Sequence, residues 1–354
     1  MDLAPIIERF LGPGAAVRAG RHGSGLINDT WLCEHDAHGG TKRYILQRIN
    51  RAVFPRPDLV MENLETVTGH IRERLLAEGV ADPCQHTPCL VPCRDGRSWH
   101  VDADGGTWRM LPFIEGGEVR DTVSGEAHAR EVGRALGRFQ ALVADLPPSR
   151  LHDTLPGFHV TPRYLDELRG AARRDACGRA DGARAELAFA AERSSLAPLL
   201  VGPMQEGRIP LRVVHNDPKV NNVLLRRGTG EAVCMLDLDT VKPGIAHFDF
   251  GDCVRSAANP AGEDAALLDD VTFDAACYEA VRAGYLGEAA TFLTGDEIGL
   301  LPPSVKVITY ELGIRFLADH LRGDTYFRTG APGHNLHRAR VQFRLLERME
   351  QAGL

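Results

Sequence analysis

Short apolar runs separated by turns dominate the first hundred residues. AAVRAG, TWLCEH and YILQRI are divided by the small-residue turn RHGSG and by a Gly-Gly turn. Short β-branched and aromatic runs bounded by glycine are typical of antiparallel strands. The segment SWHVDADGGTWRMLPFI has the same character. The pattern therefore predicts a small antiparallel sheet in this part of the chain.

A helical spacing appears between these strands and takes over later in the chain. In DLVMENLETVTGHIRERLLAEGV, apolar residues recur at steps of three and four from Val60 to Leu75, and Gly79 ends the pattern. After Glu115 and two glycines, the same spacing predicts helices at 124–146, from about Thr161 to Leu200, and from Ser304 to Leu321. We expect an α+β protein with a small β-rich lobe, residues 1–115, and a larger, mainly helical lobe, residues 116–354.

Composition restricts the class of protein. The 354 residues are 44% hydrophobic and 25% charged, as in ordinary globular proteins. Lysine and arginine number 41 against 48 acidic residues, a formal charge of −7, without a basic stripe suited to nucleic acid. No apolar run has the length of a membrane span, and the start lacks a signal-peptide layout. We expect a cytoplasmic protein with no nucleic-acid or membrane partner, of open oligomeric state, whose eight cysteines are reduced thiols.

One β-rich segment, residues 211–252, interrupts the helical half. Its apolar runs RVV, NVLL and VCML each end in polar residues, and it contains the pattern His215-x-Asp217-x4-Asn222. In kinase loops of this spacing, the Asp accepts the substrate hydroxyl proton and the Asn holds magnesium. Asp237 directly follows VCML, where such kinases place a second magnesium ligand. The spacing predicts Asp217 as base and Asn222 and Asp237 as metal ligands.

Two more charged residues accompany this pattern. Lys219 follows Asp217 by two residues, where some kinases carry a lysine that meets the transferring phosphate, and lysine is rare in this chain. A role as an ordinary surface residue stays open. Asp239 lies on the same side of its strand as Asp237 by alternation, and we expect it to support the metal shell or to orient the loop.

These residues belong to a wider resemblance. The segments GLINDTW, YILQRINRAVF, HNDPKVNNVLL, MLDLDTVKPG, HFDFGDCVRSAAN and ELGIRFLADHLRGDTYF are similar to those of the aminoglycoside phosphotransferase-like kinases, most closely the N-acetylhexosamine 1-kinase group. The similarity runs from about Gly23 to Tyr326. It implies a bilobal, protein-kinase-like fold. It also implies use of ATP and Mg²⁺ to phosphorylate the anomeric hydroxyl of N-acetylglucosamine or N-acetylgalactosamine.

The resemblance implies further site residues. Gly23, Ser24 and Gly25 would cover the phosphates, and the strand with Met110, Pro112 and Ile114 would be the hinge whose backbone meets adenine. The sugar contacts would be Trp108, His159, Arg315 and Asp217. Ordinary structural roles stay open: a hairpin turn for the glycines, and core packing, a turn cap or ion pairing for the sugar residues. Asp249 would support the kinase loop, with Arg255 as its partner.

The third predicted strand departs from the kinase pattern. Kinases place there a lysine that pairs the nucleotide phosphates with a helix glutamate, whereas YILQRI offers Gln47 and Arg48. Neighbouring strand residues face opposite ways, so one of the two points into the cleft. We expect Arg48 to supply the charge, with Glu62 or Glu65 as its partner; otherwise phosphate binding falls to other groups.

Two alternatives to a sugar kinase stay open. Leu26 and Ser256 differ from the residues expected in the nearest relatives, which leaves the acceptor uncertain. An aminoglycoside or other amine-bearing acceptor needs an acidic pocket, which the net charge permits and Arg315 opposes. A binding-only module is suggested by the missing lysine and opposed by the intact base and metal pattern. The leading interpretation is an enzyme, a phosphotransferase with a sugar alcohol group as acceptor.

Overall fold

The N-terminal part of the computed structural model is built around one antiparallel sheet. The structure describes residues 2–15, 17–23, 27–37 and 40–354. The sheet has five strands in the order β1-β2-β3-β5-β4. They are β1 (Val17–Arg21), β2 (Asp29–Ala37), β3 (Gly40–Arg48), β4 (His100–Val101) and β5 (Thr107–Pro112). The predicted antiparallel sheet is confirmed.

Strand alternation divides this sheet into two faces of different chemistry. Leu46, Trp108 and Met110 are buried in one apolar cluster together with helix α1 (Ala4–Leu11). Gln47 and Arg109 are directly opposite each other in the β3–β5 register. Because successive strand residues face opposite sides, these two polar residues point away from α1. The polar face of the sheet is thus the one turned toward the rest of the chain.

Helix α2 (Pro57–Ala77) follows the third strand and begins one residue before the predicted helical segment, at Pro57. Its buried face runs from Val60 to Leu75, as the spacing predicts. The side chain of Asn63 on this face donates to the carbonyl oxygens of His152 at 2.9 Å and Val241 at 3.0 Å. These bonds fix α2 to segments of the C-terminal half.

The C-terminal part is mainly helical, which agrees with the predicted fold class. The helices are α3 (Glu126–Leu142), α4 (Thr161–Arg174), α5 (Arg184–Glu192), α6 (Pro198–Gln205), α7 (Ala246–Ala257), α8 (Ala275–Ala289), α9 (Gly295–Leu321) and α10 (His334–Gln351). Helix α9 begins earlier than Ser304 because Thr294 and Glu297 form a reciprocal capping box upstream of it. No helix in the described ranges combines the length and apolar character needed to cross a membrane.

Two small sheets carry the polar segment singled out in the sequence. Strands β7 (Arg212–Val214) and β10 (Lys242–Gly244) pair antiparallel, and β8 lies between β6 and β9 in the second sheet. The latter strands are β6 (Gly117–Glu118), β8 (Val223–Arg226) and β9 (Ala232–Met235). The loop between β7 and β8, residues 215–222, and the turn after β9 therefore come from neighbouring short strands.

The cysteines correct one expectation. Cys84 and Cys89 form a disulfide in the loop after α2, with their Cα atoms 5.4 Å apart. Between them, the side chain of Gln85 accepts a hydrogen bond from the backbone N–H of Glu115 at 2.9 Å. The disulfide loop is therefore docked on the segment that follows β5. Composition could not reveal this pair, because the proximity of the thiols depends on how the loop folds.

Helices α3 and α8 approach each other closely through glycines. A Cβ on Gly284 would lie 2.0 Å from the carbonyl oxygen of Arg130, and one on Gly133 would lie 2.0 Å from that of Val281. Real Cβ atoms do not come this close to backbone, so any side chain here forces the helices apart. The core beneath the 215–222 loop depends on this helix crossing. In that core, the ring of Phe250 on α7 contacts the ring of Tyr285 on α8 in a tilted arrangement, with centroids 5.1 Å apart.

Gly284→Ala is expected to lower the free energy of unfolding by about 1–3 kcal/mol, because the helices must separate to admit the methyl group. Gly287→Ala is the matched control on the same helix, since nothing lies within 4 Å of its Cβ position. It is expected to gain about 0.5–1 kcal/mol from helix propensity. Urea unfolding of both variants checks this, and equal changes would contradict the close crossing.

Candidate active site

A buried carboxylate holds the start of the 215–222 loop. The two oxygens of Asp249 accept the backbone N–H groups of His215 and Asn216 at 2.8 and 2.7 Å. Gln140 donates to the same carboxylate at 2.7 Å. Asp249 is fully buried, and desolvation raises its pKa. Asp249 thus supports the loop, in the role that the resemblance implies for it.

Arg255 has other partners than the one expected. Its guanidinium lies 2.8 Å from Asp252 and 3.0 Å from Glu263. Arg255 lies on α7 only one turn and a half beyond Asp249, so its side chain follows the Asp252 face of the helix. The expected pair of Arg255 with Asp249 is therefore replaced by a pair with Asp252.

The imidazole of His215 links the loop to the turn after β9. Its Nε2 lies 2.8 Å from the carbonyl oxygen of Leu236, and its Nδ1 accepts the backbone N–H of Asp217 at 3.3 Å. These partners assign a neutral ring with its proton on Nε2. Thr240 completes the link by donating to the carbonyl oxygen of His215 at 2.6 Å.

The structure brings Asp217, Lys219 and Asn222 together. The Lys219 ammonium lies 3.1 Å from the Asp217 carboxylate. Asn222 donates its amide N–H groups to the carbonyl oxygen of Asp217 at 2.8 Å and to its carboxylate at 3.2 Å. Desolvation raises the pKa of Asp217, with Lys219 opposing and Asp252 adding to the shift. Such a carboxylate can accept a hydroxyl proton, and the neighbouring ammonium can balance added negative charge.

Asp237 occupies an unusual backbone position beside this group. Its φ of 54° lies in the left-handed region, which costs energy for a residue with a side chain. The next residue back, Leu236, donates its backbone N–H to the carbonyl oxygen of Asn222 at 2.7 Å, which joins the two segments. Desolvation, followed by repulsion from Asp239 and Asp217, raises the pKa of Asp237 to about 7. A nearby cation would relieve this crowding of carboxylates.

Asn222 and Asp237 fit a cation that prefers oxygen ligands. Asn222 spends its amide N–H groups on Asp217, which leaves Oδ1 as an acceptor. No hydrogen-bond donor among the described residues bonds to the Asp237 carboxylate. Within the described ranges, no three His, Cys, Asp or Glu side chains are arranged to hold a metal alone. A site of this kind suits Mg²⁺, which takes few protein oxygens and completes its shell with phosphate and water.

Asp239 belongs to a different interaction from the one expected. Its side chain is 3% exposed and pairs with the guanidinium of Arg109 on β5, which is also 3% exposed. Its second oxygen accepts from the amide of Asn28 at 2.6 Å. The Nε–H of Arg109 donates to Gln47 at 2.9 Å, and Gln47 in turn donates to Thr30 at 3.2 Å. Asp239 therefore joins the turn after β9 to the polar face of the N-terminal sheet.

The orientation of the third strand contradicts the expected phosphate-binding role of Arg48. Arg48 faces the α1 side, where its guanidinium lies 5.6 Å from the Trp108 ring and 3.8 Å from Asp102. Strand alternation instead turns Gln47 toward Arg109. The helix glutamates expected to pair with Arg48 bond elsewhere: Glu62 to His152 and Glu65 to Ser98, each at 2.7 Å.

The structure also changes the expected roles of Trp108 and Met110. The Trp108 side chain is 1% exposed in the α1 cluster and donates its indole N–H to Asp102 at 2.7 Å. The Met110 side chain is fully buried in the same cluster, and its carbonyl oxygen accepts from Val91 at 2.8 Å. The Trp108 side chain is thus part of the core of the sheet and does not reach a bound sugar, whereas the backbone carbonyl of Met110, predicted to belong to the hinge, is bonded to Val91.

The backbone after β5 keeps one position open for a planar ligand. Pro112 pairs with Tyr44 in the sheet and has no N–H to offer. The N–H of Phe113 donates to the carbonyl oxygen of Arg43 at 3.0 Å, and that of Glu115 to Gln85. Among described residues, Ile114 forms no backbone hydrogen bond outside regular elements. Among the described residues after β5, the backbone of Ile114 is thus left without such a partner.

His159 lies against the 215–222 loop in a buried position. Its Nδ1 lies 2.9 Å from Glu311 and its Nε2 lies 3.4 Å from the carbonyl oxygen of Asn216. The ring packs between Phe158 and Phe248, with centroid distances of 4.0 and 4.9 Å. His159 is 4% exposed. Its contacts are those of a residue that supports the loop from behind.

Arg315 is surrounded by aromatic rings. Its guanidinium carbon lies 4.9 Å from the ring centres of Phe158 and Tyr164, and 5.5 Å from that of Phe327. Glu311, one turn earlier on α9, lies 3.9 Å away. Arg315 and His159 thus share Phe158 and Glu311 as neighbours. The two residues named by the resemblance form one cluster beside the 215–222 loop.

The glycine turn lies partly beyond what the structure describes. Gly23 has a φ of 76°, which suits a tight turn. Ser24, Gly25 and Leu26 lie outside the described residues. Ser256 has a structural role, because its hydroxyl accepts the backbone N–H of Val220 at 2.9 Å and so holds the 215–222 loop.

The sequence reasoning missed Arg109 and Asn28. Arg109 stands between Trp108 and Met110, two apolar residues that share the opposite face. A charged residue within a run of buried strand residues signals a partner across the fold. Asn28 lies in the segment GLINDTW that carries the resemblance, but nothing local shows that it bonds to Asp239.

Comparisons with known proteins agree with this geometry. The model of the phosphotransferase enzyme family (APH) matches residues 19–293, most of the chain, and the protein belongs to this family. Among solved structures, a microcompartment-associated aminopropanol kinase has a TM-score of 0.62 at 17% identity, covering 99% of this chain and 97% of its own. Choline kinase from Cryptosporidium parvum Iowa II has a TM-score of 0.60 at 13% identity, covering 95% and 89%.

A spectinomycin phosphotransferase, solved with ADP and spectinomycin, has a TM-score of 0.58 at 11% identity, covering 99% of this chain and 98% of its own. At these identities the three structures show a shared kinase-like fold. The family match shows a small-molecule phosphotransferase, as predicted.

Asn222→Ala is expected to raise the Mg²⁺ concentration required for half-maximal ADP binding by about tenfold or more, because one of two protein oxygens is removed. Asn221→Ala is the matched control, since Asn221 is exposed and adjacent. Calorimetric ADP titrations at stepped Mg²⁺ concentrations measure the difference. Equal Mg²⁺ requirements for both folded variants would show that Asn222 does not serve as a ligand.

Proposed function

We propose that the protein is an ATP- and Mg²⁺-dependent kinase that phosphorylates a sugar hydroxyl, namely the anomeric hydroxyl of an N-acetylhexosamine. The sugar oxygen forms a bond to the γ-phosphorus as the bond to the ADP oxygen breaks. Asp217 takes the hydroxyl proton, and Lys219 faces the transferring phosphoryl group. Asn222 and Asp237 hold Mg²⁺, which neutralises phosphate charge when bound. Positioning and electrostatics supply most of the catalysis.

The acceptor assignment rests on the charge of the Arg315 cluster, the side chains of Phe158, Tyr164, Arg315 and Phe327. Three aromatic rings around a point are the usual receptor for a quaternary ammonium ion. In this protein the rings already surround the guanidinium of Arg315. A cationic acceptor placed there would meet a like charge. Hydroxyl and N-acetyl oxygens, in contrast, can accept hydrogen bonds from an arginine.

The carboxylates near this cluster have internal partners. Glu311 accepts from Thr161 at 2.7 Å and lies 2.9 Å from His159. Asp252 pairs with Arg255 at 2.8 Å. An ammonium substrate would therefore have to displace an existing partner before it could pair with a carboxylate. This arrangement supports a neutral acceptor.

An amine-bearing acceptor is the second candidate. The similar structures are named for aminopropanol, choline and spectinomycin as the molecules on which they act or with which they were solved. Within this chain, the partly exposed Glu263 carboxylate pairs with Arg255 and, after Asp217, helps to raise the pKa of Lys219. A small amine that used Glu263 would fit this alternative.

The first experiment measures Mg²⁺-dependent ATP consumption with separate acceptors: N-acetylglucosamine, N-acetylgalactosamine, glucosamine, galactose, glucose, choline, ethanolamine and an aminoglycoside. Turnover with an N-acetylhexosamine is expected, together with loss of its reducing end. Asp217→Asn is the control for background ATP hydrolysis. It should lower kcat by about 10²–10⁴-fold while remaining folded, since the proton acceptor is lost.

Other outcomes of this panel separate the alternatives. Turnover of a sugar with its reducing end intact would place the phosphate on another hydroxyl. Turnover confined to the amines would overturn the sugar proposal and support the second candidate. MgATP binding without turnover of any acceptor in the panel would favour the binding-only interpretation.

Arg315→Met is expected to raise KM for the sugar by about 10–100-fold with little change in KM for ATP, because a charge-assisted hydrogen bond to the acceptor is lost. Arg322→Met is the matched control beyond the end of the same helix, where Arg322 pairs with Glu167 on the surface. Steady-state kinetics with both substrates varied measures the split. A rise in both KM values, or an equal effect of Arg322→Met, would contradict the assignment.

A further inference from the structure

A buried ion pair stands where this chain lacks the usual third-strand lysine. Kinases use that lysine and a helix glutamate to place the nucleotide phosphates. In this protein Gln47 faces the interior at the end of β3, and the cation nearest to it is Arg109 on the neighbouring strand. Arg109 bonds to Asp239 and not to a residue of α2. The pairing has therefore moved from the helix to the turn that carries Asp237.

Four bonds make this ion pair a junction between segments. Arg109 holds one oxygen of Asp239, and Asn28 donates to the other at 2.6 Å. The side-chain oxygen of Asn28 accepts the backbone N–H of Asn50 at 3.0 Å. The side-chain oxygen of Gln47 accepts a hydrogen bond from the Nε–H of Arg109 at 2.9 Å. The junction therefore connects β5, the ends of β2 and β3, and the turn after β9.

We propose that Arg109 and Asn28 are positioning residues for the nucleotide phosphates and that both act through Asp239. Asn28 lies immediately before β2. Asp239 follows Asp237 by two residues within the same short helical turn. By fixing Asp239 from both sides, Arg109 and Asn28 hold the start of β2 and the Asp237 turn in one mutual arrangement.

The burial of the junction gives the proposal its physical basis. Arg109 and Asp239 are each 3% exposed, so neither can exchange its partner for water at little cost. Loss of Arg109 leaves Asp239 as a buried carboxylate with Asn28 as its remaining side-chain partner. The carboxylate would then move toward solvent and carry the Asp237 turn with it. Loss of Asn28 releases the start of β2 from Asp239 and leaves the ion pair in place.

The charge of Arg109 adds a second effect in the same direction. Asp217, Asp237 and Asp239 bring three carboxylates near the expected phosphate site. The Arg109 guanidinium offsets one of them from within the protein. Without it, the excess negative charge would oppose the approach of a nucleotide polyphosphate. Both effects predict weaker nucleotide binding and no direct effect on the acceptor.

The test is MgADP binding, measured by calorimetry, which needs no acceptor. This inference rests on the proposed function in one respect, namely that the ligand is a magnesium nucleotide. Arg109→Met is expected to raise Kd at least tenfold, and Arg109→Lys to restore part of the affinity because it keeps a cation opposite Asp239. Asn28→Ala is expected to raise Kd by a smaller factor, because it removes no charge. Thermal melting shows which variants are folded at the titration temperature.

A double variant tests whether both residues act through Asp239. If they do, Arg109→Met combined with Asn28→Ala raises Kd by less than the product of the two separate factors. Arg48→Met is the matched control: it removes an arginine from the same sheet on the opposite face, where Arg48 contacts Trp108. Its Kd for MgADP is expected to equal that of the wild type.

The outcomes separate this inference from the function. Wild-type Kd values for folded Arg109→Lys and Asn28→Ala would overturn the inference, as would equal weakening by Arg48→Met or multiplicative effects in the double variant. If Arg109→Met does not fold, Arg109→Lys and Asn28→Ala still decide the question. Wild-type MgADP binding without sugar turnover would overturn the sugar assignment and leave the inference standing.

Discussion

The candidate site depends on the burial of one carboxylate, Asp249, behind the 215–222 loop. A buried charge is costly unless donors surround it. Here the donors are the backbone N–H groups of His215 and Asn216 and the amide of Gln140. Because the loop itself supplies two of these donors, the carboxylate is satisfied only when the loop has this conformation. The cost of burying Asp249 therefore selects the loop geometry that places Asp217.

The same dependence explains the backbone around Asp217. Among the described residues, five residues other than glycine have a positive φ, and His159, Asn216 and Asp237 are three of them. Each such residue costs about 1–2 kcal/mol. Each is also held by contacts from another segment: Asn216 by Asp249, His159 by Glu311, and the Asp237 turn by the Arg109 junction. Tertiary bonds thus maintain strain where the polar groups converge.

Much of the fold and part of the site could be predicted from local sequence. Residue alternation predicted the N-terminal strands, and the spacing of apolar residues predicted α2. In both cases burial of one face makes apolar residues recur at regular intervals. Asp217, Asn222 and Asp237 were predicted from their spacing, since the 215–222 loop and the turn after β9 lie close together in the sequence. The pattern is local, and the structure brings these residues together.

The remaining residues could not be assigned because their roles depend on distant partners. Choosing Arg48 over Gln47 required the facing of β3, which is set by packing against α1. Arg109 and Asp239 lie 130 positions apart, and Asn28 and Asp239 lie 211 apart. Sequence spacing carries no record of such pairs. The absence of the third-strand lysine was therefore evident from the sequence. The group proposed in its place, Arg109 paired with Asp239, was evident only from the three-dimensional structure.

The distribution of charge in the site agrees with the proposed joint binding of nucleotide and metal. Asp239 is neutralised from within the protein by Arg109, and Asp217 is paired with Lys219. Asp237 is the carboxylate of this group that lacks an internal cation among the described residues. A metal that used Asp237 and Asn222 alone would have most of its shell left for phosphate and water oxygens. Metal and nucleotide would then bind more strongly together than apart, because each supplies the charge that the other requires, and by linkage the coupling is reciprocal.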